Sequence, residues 1–401
     1  MKSVINCPDC NFRKKILEAH FHFNSKRTIY LDYNATTPVD TRVLGAFERS
    51  CREVWANPSS LHLCGVKSWE MMDSFRKNIA AYFGCSPKGL FFCSSGSEAV
   101  HCAVAGFRKR NPKSAVIIST IEHSSVRHPF RISQLCGLKG KAINVDSEGR
   151  LDCEMLEDVL KLHKGSLIVI SPVNHETGAL QPVETIYTLS KKYDSLLFLD
   201  AVQAAAKLAP EKWAPFCDFF CVSGHKIYAP KGIALLWKKE GVKLDSFRFG
   251  GSQEGGFFPG TENTPGIAAL SSSLSLLREE GPAEMSRLCM LSGEGLTILK
   301  NASFPFILES PEHRAPGILC ISLSWVDEIE KLLYTLNLNS ICLSRFSACT
   351  GRVDGPSRVL LAMGRSRKQA STSLRISLGR WSKRDDFFRL TKVLQEVYGK
   401  N

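Results

Sequence analysis

No apolar run in this sequence approaches the roughly 20 residues a helix needs to cross a bilayer. The longest, such as Ser166 to Ile170 and Leu196 to Ala201, are far shorter, so no membrane span is expected. The N-terminus carries Asp9 and Glu18 among its basic residues and lacks a continuous apolar stretch before a small-residue cleavage site, which argues against a secretory signal. Internal repeats and low-complexity segments are missing as well. Acidic residues are in short supply, 39 against 52 Lys and Arg, for a formal charge of +13. Such a surplus attracts polyanions, tRNA or an acidic protein among them, but net charge alone confers no specific binding. No recognisable nucleic-acid module is present. The reading is of an intracellular, cytoplasmic, globular protein.

Cysteine, by contrast, is plentiful. Fifteen are scattered over 401 residues rather than packed into a short chain, so most are expected to be reduced and buried rather than joined in a disulfide framework. With 44% hydrophobic and 23% charged residues the chain can bury a large core, and its length suggests two domains. Residues 1–27 stand apart, with Cys7-Pro-Asp-Cys10, the basic run Arg13-Lys14-Lys15 and His20-Phe-His22. A zinc site would pair such a C-x-x-C with two histidines, but His20 and His22 stand closer together than zinc-ligating histidines usually do. The segment is read as a loosely packed extension, and no metal is assigned.

From about Leu44 onward short apolar runs alternate with longer helical patterns, the pattern of a parallel sheet covered on both faces, so the fold class is α/β. Strands are expected at Leu90 to Cys93, Ala115 to Ser119, Ser166 to Ile170, Leu196 to Asp200, Cys217 to Ser223 and Gly232 to Trp237. In open sheets of this kind ligands sit beyond the carboxyl ends of the strands. Polar residues fall at those ends: Ser94-Ser-Gly-Ser-Glu98, Glu122-His123, Asn174-His175-Glu176, Asp200 with Gln203, and Ser223-Gly-His-Lys226. After about Ser271 helices with shorter strands follow, including Gly317 to Leu323 and Ser373 to Leu378. The expected division is an extension over 1–27, a large domain over 41–283, and a smaller α+β domain formed by 28–40 and 284–401.

The run ending in Lys226 reads as a buried strand with a lysine at its lip. A desolvated lysine loses proton affinity and becomes nucleophilic, as imine formation with an aldehyde cofactor requires. Taken alone, a lysine after a strand is most often a solvated surface residue. Asp200, at the end of the preceding strand, would emerge near Lys226 if the two strands are neighbours. A carboxylate there keeps a pyridinium nitrogen protonated, which pyridoxal phosphate chemistry requires, while an N-cap for a helix starting at Ala201 explains the same residue equally well.

The loop Ser94-Ser-Gly96-Ser97 opens a helix and offers N–H groups and hydroxyls to a phosphate, although many such turns use Gly and Ser only for their backbone freedom. His123 has a place against a cofactor ring or a structural role. Gly250-Gly-Ser-Gln-Glu-Gly-Gly256 with Pro259-Gly-Thr261-Glu-Asn263 is too glycine-rich for a helix and too long for a tight turn, and a mobile functional loop is expected. Cys349, in Phe346-Ser-Ala-Cys-Thr-Gly351, stands among small residues where a thiolate can act as a nucleophile. Arg375 lies inside an alternating strand, where burial without a partner is costly, and arginine binds planar anions bidentately.

Taken in order, these segments resemble the cysteine desulfurases of the iron–sulfur cluster and nitrogen-fixation type, members of the class V aminotransferase family. The resemblance runs through Tyr30-Leu-Asp-Tyr-Asn-Ala-Thr-Thr-Pro38, Asn57-Pro-Ser-Ser60 with His62, Val173-Asn-His-Glu176, Asp200-Ala-Val-Gln203 and Ser223-Gly-His-Lys-Ile-Tyr228. It continues through Pro230-Lys-Gly232, Gly260-Thr-Glu-Asn263, Ser347-Ala-Cys-Thr350 and Leu374-Arg-Ile-Ser-Leu-Gly-Arg380, leaving only residues 1 to about 27 outside it.

The resemblance implies a pyridoxal-phosphate enzyme of fold type I that takes sulfur from L-cysteine. Lys226 would carry the cofactor, Asp200 pair with the ring nitrogen, Gln203 and His175 face the ring oxygen, and His123 stack on the ring. Gly96, Ser97, Ser223 and His225 would hold the phosphate, with Thr261 reaching across from the second subunit of a homodimer. Asn34 and Arg375 would bind the substrate carboxylate, and Cys349 would accept the sulfur as a persulfide. The sulfur would then pass to an acceptor protein such as an iron–sulfur scaffold or a tRNA-thiolation enzyme.

The chain departs from the family pattern at His175, where an asparagine is usual, in the short phosphate loop, at Phe346, where a glycine is usual, and at Phe258-Pro259. A selenocysteine lyase or aminotransferase of the same family is the alternative in which Cys349 is dispensable. An inactive binding scaffold is the alternative without chemistry.

Overall fold

The computed structural model describes residues 27–135, 137–346 and 355–399. The chain divides into two compact units, one holding Thr36–His175 and Ala179–Met285, the other the described residues up to Ala35, Glu176–Gly178 and the residues from Ser286 onward. In chain order the strands are β1 (Ile29–Tyr30), β2 (Leu90–Cys93), β3 (Val116–Ser119), β4 (Gly140–Ile143), β5 (Leu167–Ile170) and β6 (Leu196–Asp200). They continue with β7 (Phe219–Ser223), β8 (Ala234–Lys238), β9 (Ile307–Leu308), β10 (Ile318–Ser322), β11 (Ile341–Cys342) and β12 (Ser373–Ser377).

The larger unit is built on a seven-stranded sheet in the order β2-β8-β7-β6-β5-β3-β4. Pairings from β7 through β4 are parallel, and β8 runs antiparallel to both of its neighbours. Every residue of β3, β5 and β7 is buried, as expected of parallel strands with helices on both faces, which read as continuous Val, Ile, Leu and Phe runs rather than as alternation.

Because β7, β6, β5 and β3 are parallel neighbours, their carboxyl ends form one row. Cys93 of β2 and Ser223 of β7 both pair with Ala234 of β8, so the loop after β2 opens at the same edge. The helix Gly96–Arg110 starts there. Its N-cap is Ser95, whose side chain accepts from Glu98 N–H, and its ends carry Glu98 and Arg108-Lys109-Arg110, charges that suit the helix dipole.

The smaller unit combines a three-stranded antiparallel sheet, β12-β10-β9, with the parallel pair β1-β11. Its core joins Leu319, Ile321, Leu374 and Ile376 of the sheet with Leu332 and Leu336 of the helix Ile329–Leu338 and with Phe387, Leu390 and Leu394 of the helix Arg384–Tyr398. This unit is α+β. Among the described residues no helix is long and apolar enough to cross a membrane, and each described cysteine is a free thiol.

Candidate active site

The row of strand ends in the larger unit gathers most of the residues singled out from sequence. Asp200, the last residue of β6, is 6% exposed. Its Oδ1 accepts from Val202 N–H at 3.3 Å and, more weakly, from the Cys221 thiol at 3.7 Å, while Oδ2 accepts from Ser125 Oγ at 3.4 Å. Burial pushes its carboxyl above the usual aspartate value, and these donors together with the nearby His175 pull it back. Hydrogen bonds of this kind favour the charged form of a buried acid.

His123 follows β3. Its Nδ1 accepts from the Ser125 amide at 3.1 Å and lies 2.8 Å from Ser125 Oγ. An amide N–H can only donate, so in the neutral ring the proton sits on Nε2. The His175 ring meets it edge-on, with centroids 5.1 Å apart and planes at 87°. Ser125 thus links His123 to Asp200. Sequence reasoning passed over this residue, and the only signal available was its place two residues after His123.

Lys226 closes the single 3-10 turn Gly224–Lys226 after β7 and is half-buried. The turn is strapped down by the Thr36-Thr37 pair: Thr37 donates from its N–H at 2.9 Å and its hydroxyl at 3.1 Å to the His225 carbonyl, and Tyr228 N–H donates to Thr37 Oγ1 at 2.8 Å. Tyr228 adopts a φ of 68°, a conformation a non-glycine residue holds only when its surroundings fix it. His225 Nδ1 lies 3.1 Å from Thr36 Oγ1. Burial, then the charges of Lys226 and Lys231, push the His225 imidazole down to about 4, so at neutral pH it is an uncharged ring.

In the loop before the helix Gly96–Arg110, the Ser94 hydroxyl and N–H are taken by Glu98 and the Ser95 hydroxyl caps the helix, while Ser97 is exposed. A Cβ on Gly96 would come within 2.8 Å of Val202 Cγ2 and 3.7 Å of Ser223 Cβ. Glycine there lets the loop close onto the ends of β6 and β7, and Ser223 and Gln203 are both buried beside it.

The donors Ser97, Ser223, neutral His225, Lys226 and the helix N-terminus suit an anionic group. Asp200 suits a protonated ring nitrogen, and His123 supplies a flat ring. This set fits a phosphorylated pyridine aldehyde.

The segment Gly250 to Asn263, whose glycines suggest a mobile loop, carries buried residues among its exposed ones. Glu254 is 8% exposed and forms an ion pair with Arg76, and Phe257 and Phe258 are buried. Thr261 is exposed and lines a cleft with Ser94, Glu98, Arg248 and Glu254 of its own chain.

In the smaller unit Arg375 is 1% exposed, and its Nη2 donates to Asp32 Oδ1 at 2.7 Å. Asp32 also accepts from Ser344 Oγ at 2.6 Å. The partner that a buried arginine requires is therefore present in the chain itself. Asn34 is held next to β12 by its N–H, which donates to Ser377 Oγ at 3.0 Å. Cys349, Cys7 and Cys10 lie outside the described residues.

Residues 29–390 match the family model "Aminotransferase class-V". The protein named cysteine desulfurase IscS 1 of Archaeoglobus fulgidus is 30% identical over 371 residues, covering 92% of this chain and 96% of that one. A solved NifS-like protein superposes with a TM-score of 0.85 at 28% identity, covering 94% of this chain and all of the other. A structure described as SspA in complex with cysteine superposes at 0.78 and 28% identity over 88% of this chain and 99% of its own. From the match over 29–390, and from relatives named cysteine desulfurases that align over nearly their whole length, this chain belongs to the class-V aminotransferase family.

Proposed function

We propose that the protein is a pyridoxal-phosphate-dependent cysteine desulfurase that converts L-cysteine to L-alanine and passes the sulfur to Cys349. The observation that carries this reading is the grouping of Lys226 and Asp200 at the carboxyl ends of the adjacent strands β7 and β6, with His123, which follows β3 of the same sheet, joined to Asp200 through Ser125. When bound, the cofactor supplies an electron sink for the substrate's Cα and Cβ.

The chain's own residues do the rest. Lys226 holds the cofactor and moves protons at the substrate carbon. Asp200 presents its charge to the ring nitrogen, His123 lies on the ring, and His175 and Gln203 face the ring oxygen. Gly96, Ser97, Ser223 and neutral His225 hold the phosphate, with Thr261 contributed by the second copy of a homodimer. Arg375 and Asn34 take the substrate carboxylate, for which Arg375 exchanges part of its bond to Asp32.

Cys349 attacks the substrate sulfur. The C–S bond breaks, an S–S bond forms on Cys349, and a proton replaces sulfur on the substrate carbon, so the step balances with no outside reductant. The persulfide sulfur goes on to an acceptor protein of the iron–sulfur scaffold or tRNA-thiolation kind. Residues 41–283 act as the cofactor domain and 28–40 with 284–401 as the smaller one. Free thiols throughout the described chain suit a reducing cytoplasm.

The test is alanine and sulfide release from L-cysteine by wild type and Cys349→Ala, each loaded with the cofactor and its visible band recorded. Wild type should release both products. In the variant, desulfurization should fall by about 100-fold or more while the band persists. Alanine release retained by the variant would instead mean a lyase in which this cysteine is dispensable.

A further inference from the structure

Glu122 has no part in the chemistry described so far, yet it is buried at the same row of strand ends, directly before His123. It is 4% exposed. Ser119 Oγ, at the end of β3, lies 2.6 Å from its Oε1, and Ser171 Oγ, just past the end of β5, lies 2.7 Å from its Oε2. Asn174 Nδ2 donates to the Ile121 carbonyl at 3.1 Å, a second tie between the same two loops. The carboxyl group therefore fastens the turn that carries His123 to the loop that carries His175.

We propose that Glu122 is a positioning residue of the cofactor site, stapling the ends of β3 and β5 so that His123 and His175 keep their edge-on arrangement. This rests on the cofactor reading above. The titratable groups around Glu122 are Asp200 on β6, His123 in its own turn, His175 on the loop after β5, and the Cys221 thiol on β7, which touches Asp200. No ion pair to Glu122 is present among the described residues. Two carboxylates in one desolvated cluster resist ionising together; both accept hydrogen bonds, Glu122 from Ser119 and Ser171 and Asp200 from Val202, Ser125 and Cys221, and Asp200 has the favourable charge of His175 beside it as well.

Burial, with a further contribution from Asp200, raises Glu122 from the ordinary 4.5 to about 7. The folded protein thus keeps a proton that the unfolded chain has already released. The stability this proton contributes is complete below about pH 4.5 and is lost as pH rises through about 7.

The experiment compares wild type, Glu122→Gln and Glu122→Ala as full chains. The amide can keep both serine contacts without titrating, so Glu122→Gln should bind pyridoxal phosphate within about threefold of wild type, and Glu122→Ala about tenfold or more weakly. From pH 5 to 8 the thermal midpoint of wild type should fall relative to that of Glu122→Gln. The pH at which the visible band of the loaded protein changes should differ between the two.

Wild-type affinity in Glu122→Ala would overturn the staple, and identical pH responses in wild type and Glu122→Gln would overturn the proton. If Glu122→Ala does not fold, the glutamine comparison decides. A wild type that takes up no cofactor would overturn the cofactor reading and this role together, whereas the thermal comparison without cofactor still detects the proton on its own.

Discussion

Protein carrying Lys226→Ala should fold normally, show no lysine-bound cofactor band and release alanine from cysteine about a thousandfold or more slowly than wild type. The side chain is half-buried at the end of a turn whose shape is set elsewhere. Thr36 and Thr37 hold its neighbours, and Ser273 Oγ donates to the Ile227 carbonyl just beyond. Its removal therefore takes away an amine without loosening the strap, and the thermal midpoint should stay within about 2 °C of wild type. One electrostatic change follows as well. Lys226 is a cause of the depressed His225 imidazole, so His225 should become a stronger base in the variant. Lys226→Arg should not rescue activity, because a guanidinium does not release its proton at working pH. Alanine release within tenfold of wild type in either variant, measured by chromatography of the product, would remove Lys226 from the chemistry.

The sheet was readable wherever burial on both faces left an uninterrupted apolar run. Strands β5, β6 and β7 fall within a residue or two of the expected ranges because Leu167 to Ile170, Leu196 to Asp200 and Phe219 to Ser223 are almost wholly apolar. Strand β4, Gly140–Ile143, escaped notice because it is an edge strand with Lys141 and Ala142 exposed, and edges carry the polar residues that hide a strand. The two-residue strands β1 and β11 are too short to carry a period at all, and only their pairing reveals them.

Within the site, recognisable motifs single out residues from sequence, whereas residues that act through burial carry no such mark. Glu122 and Ser125 flank His123, but nothing in Glu-His-Ser-Ser says which side chains turn inward. The bond from Arg375 to Asp32 was likewise legible only as a cost that some carboxylate had to meet. In the glycine-rich stretch, composition pointed to motion, and nothing in its four glycines between 250 and 256 says that Glu254 among them turns inward.

That glutamate should be among the residues whose loss costs the larger unit most. Glu254 and Arg76 form a fork: Nη2 lies 2.6 Å from Oε1 and Nη1 3.1 Å from Oε2, with the glutamate side chain 3% exposed and the arginine 17%. Oε2 also accepts from the Phe92 N–H at 2.8 Å, and the guanidinium lies 4.6 Å over the Phe92 ring. Glu254→Ala removes the acceptor of the Phe92 amide and of the part-buried Arg76, which keeps its bond to the Leu90 carbonyl, and the loss should cost about 3 kcal/mol. For a unit of this size that is a fall in thermal midpoint of roughly 10 °C.

A second substitution separates the charge from the backbone. Glu254 adopts a φ of 48°, a conformation that costs a non-glycine residue about 1 kcal/mol and glycine almost nothing. Glu254→Gly should accordingly be about 1 kcal/mol less damaging than Glu254→Ala, although both lose the ion pair. Denaturant unfolding of the three proteins orders them wild type, glycine, alanine if the carboxylate holds the loop against its own strain. An alanine variant as stable as wild type would mean the loop is held by Phe257 and Phe258 alone.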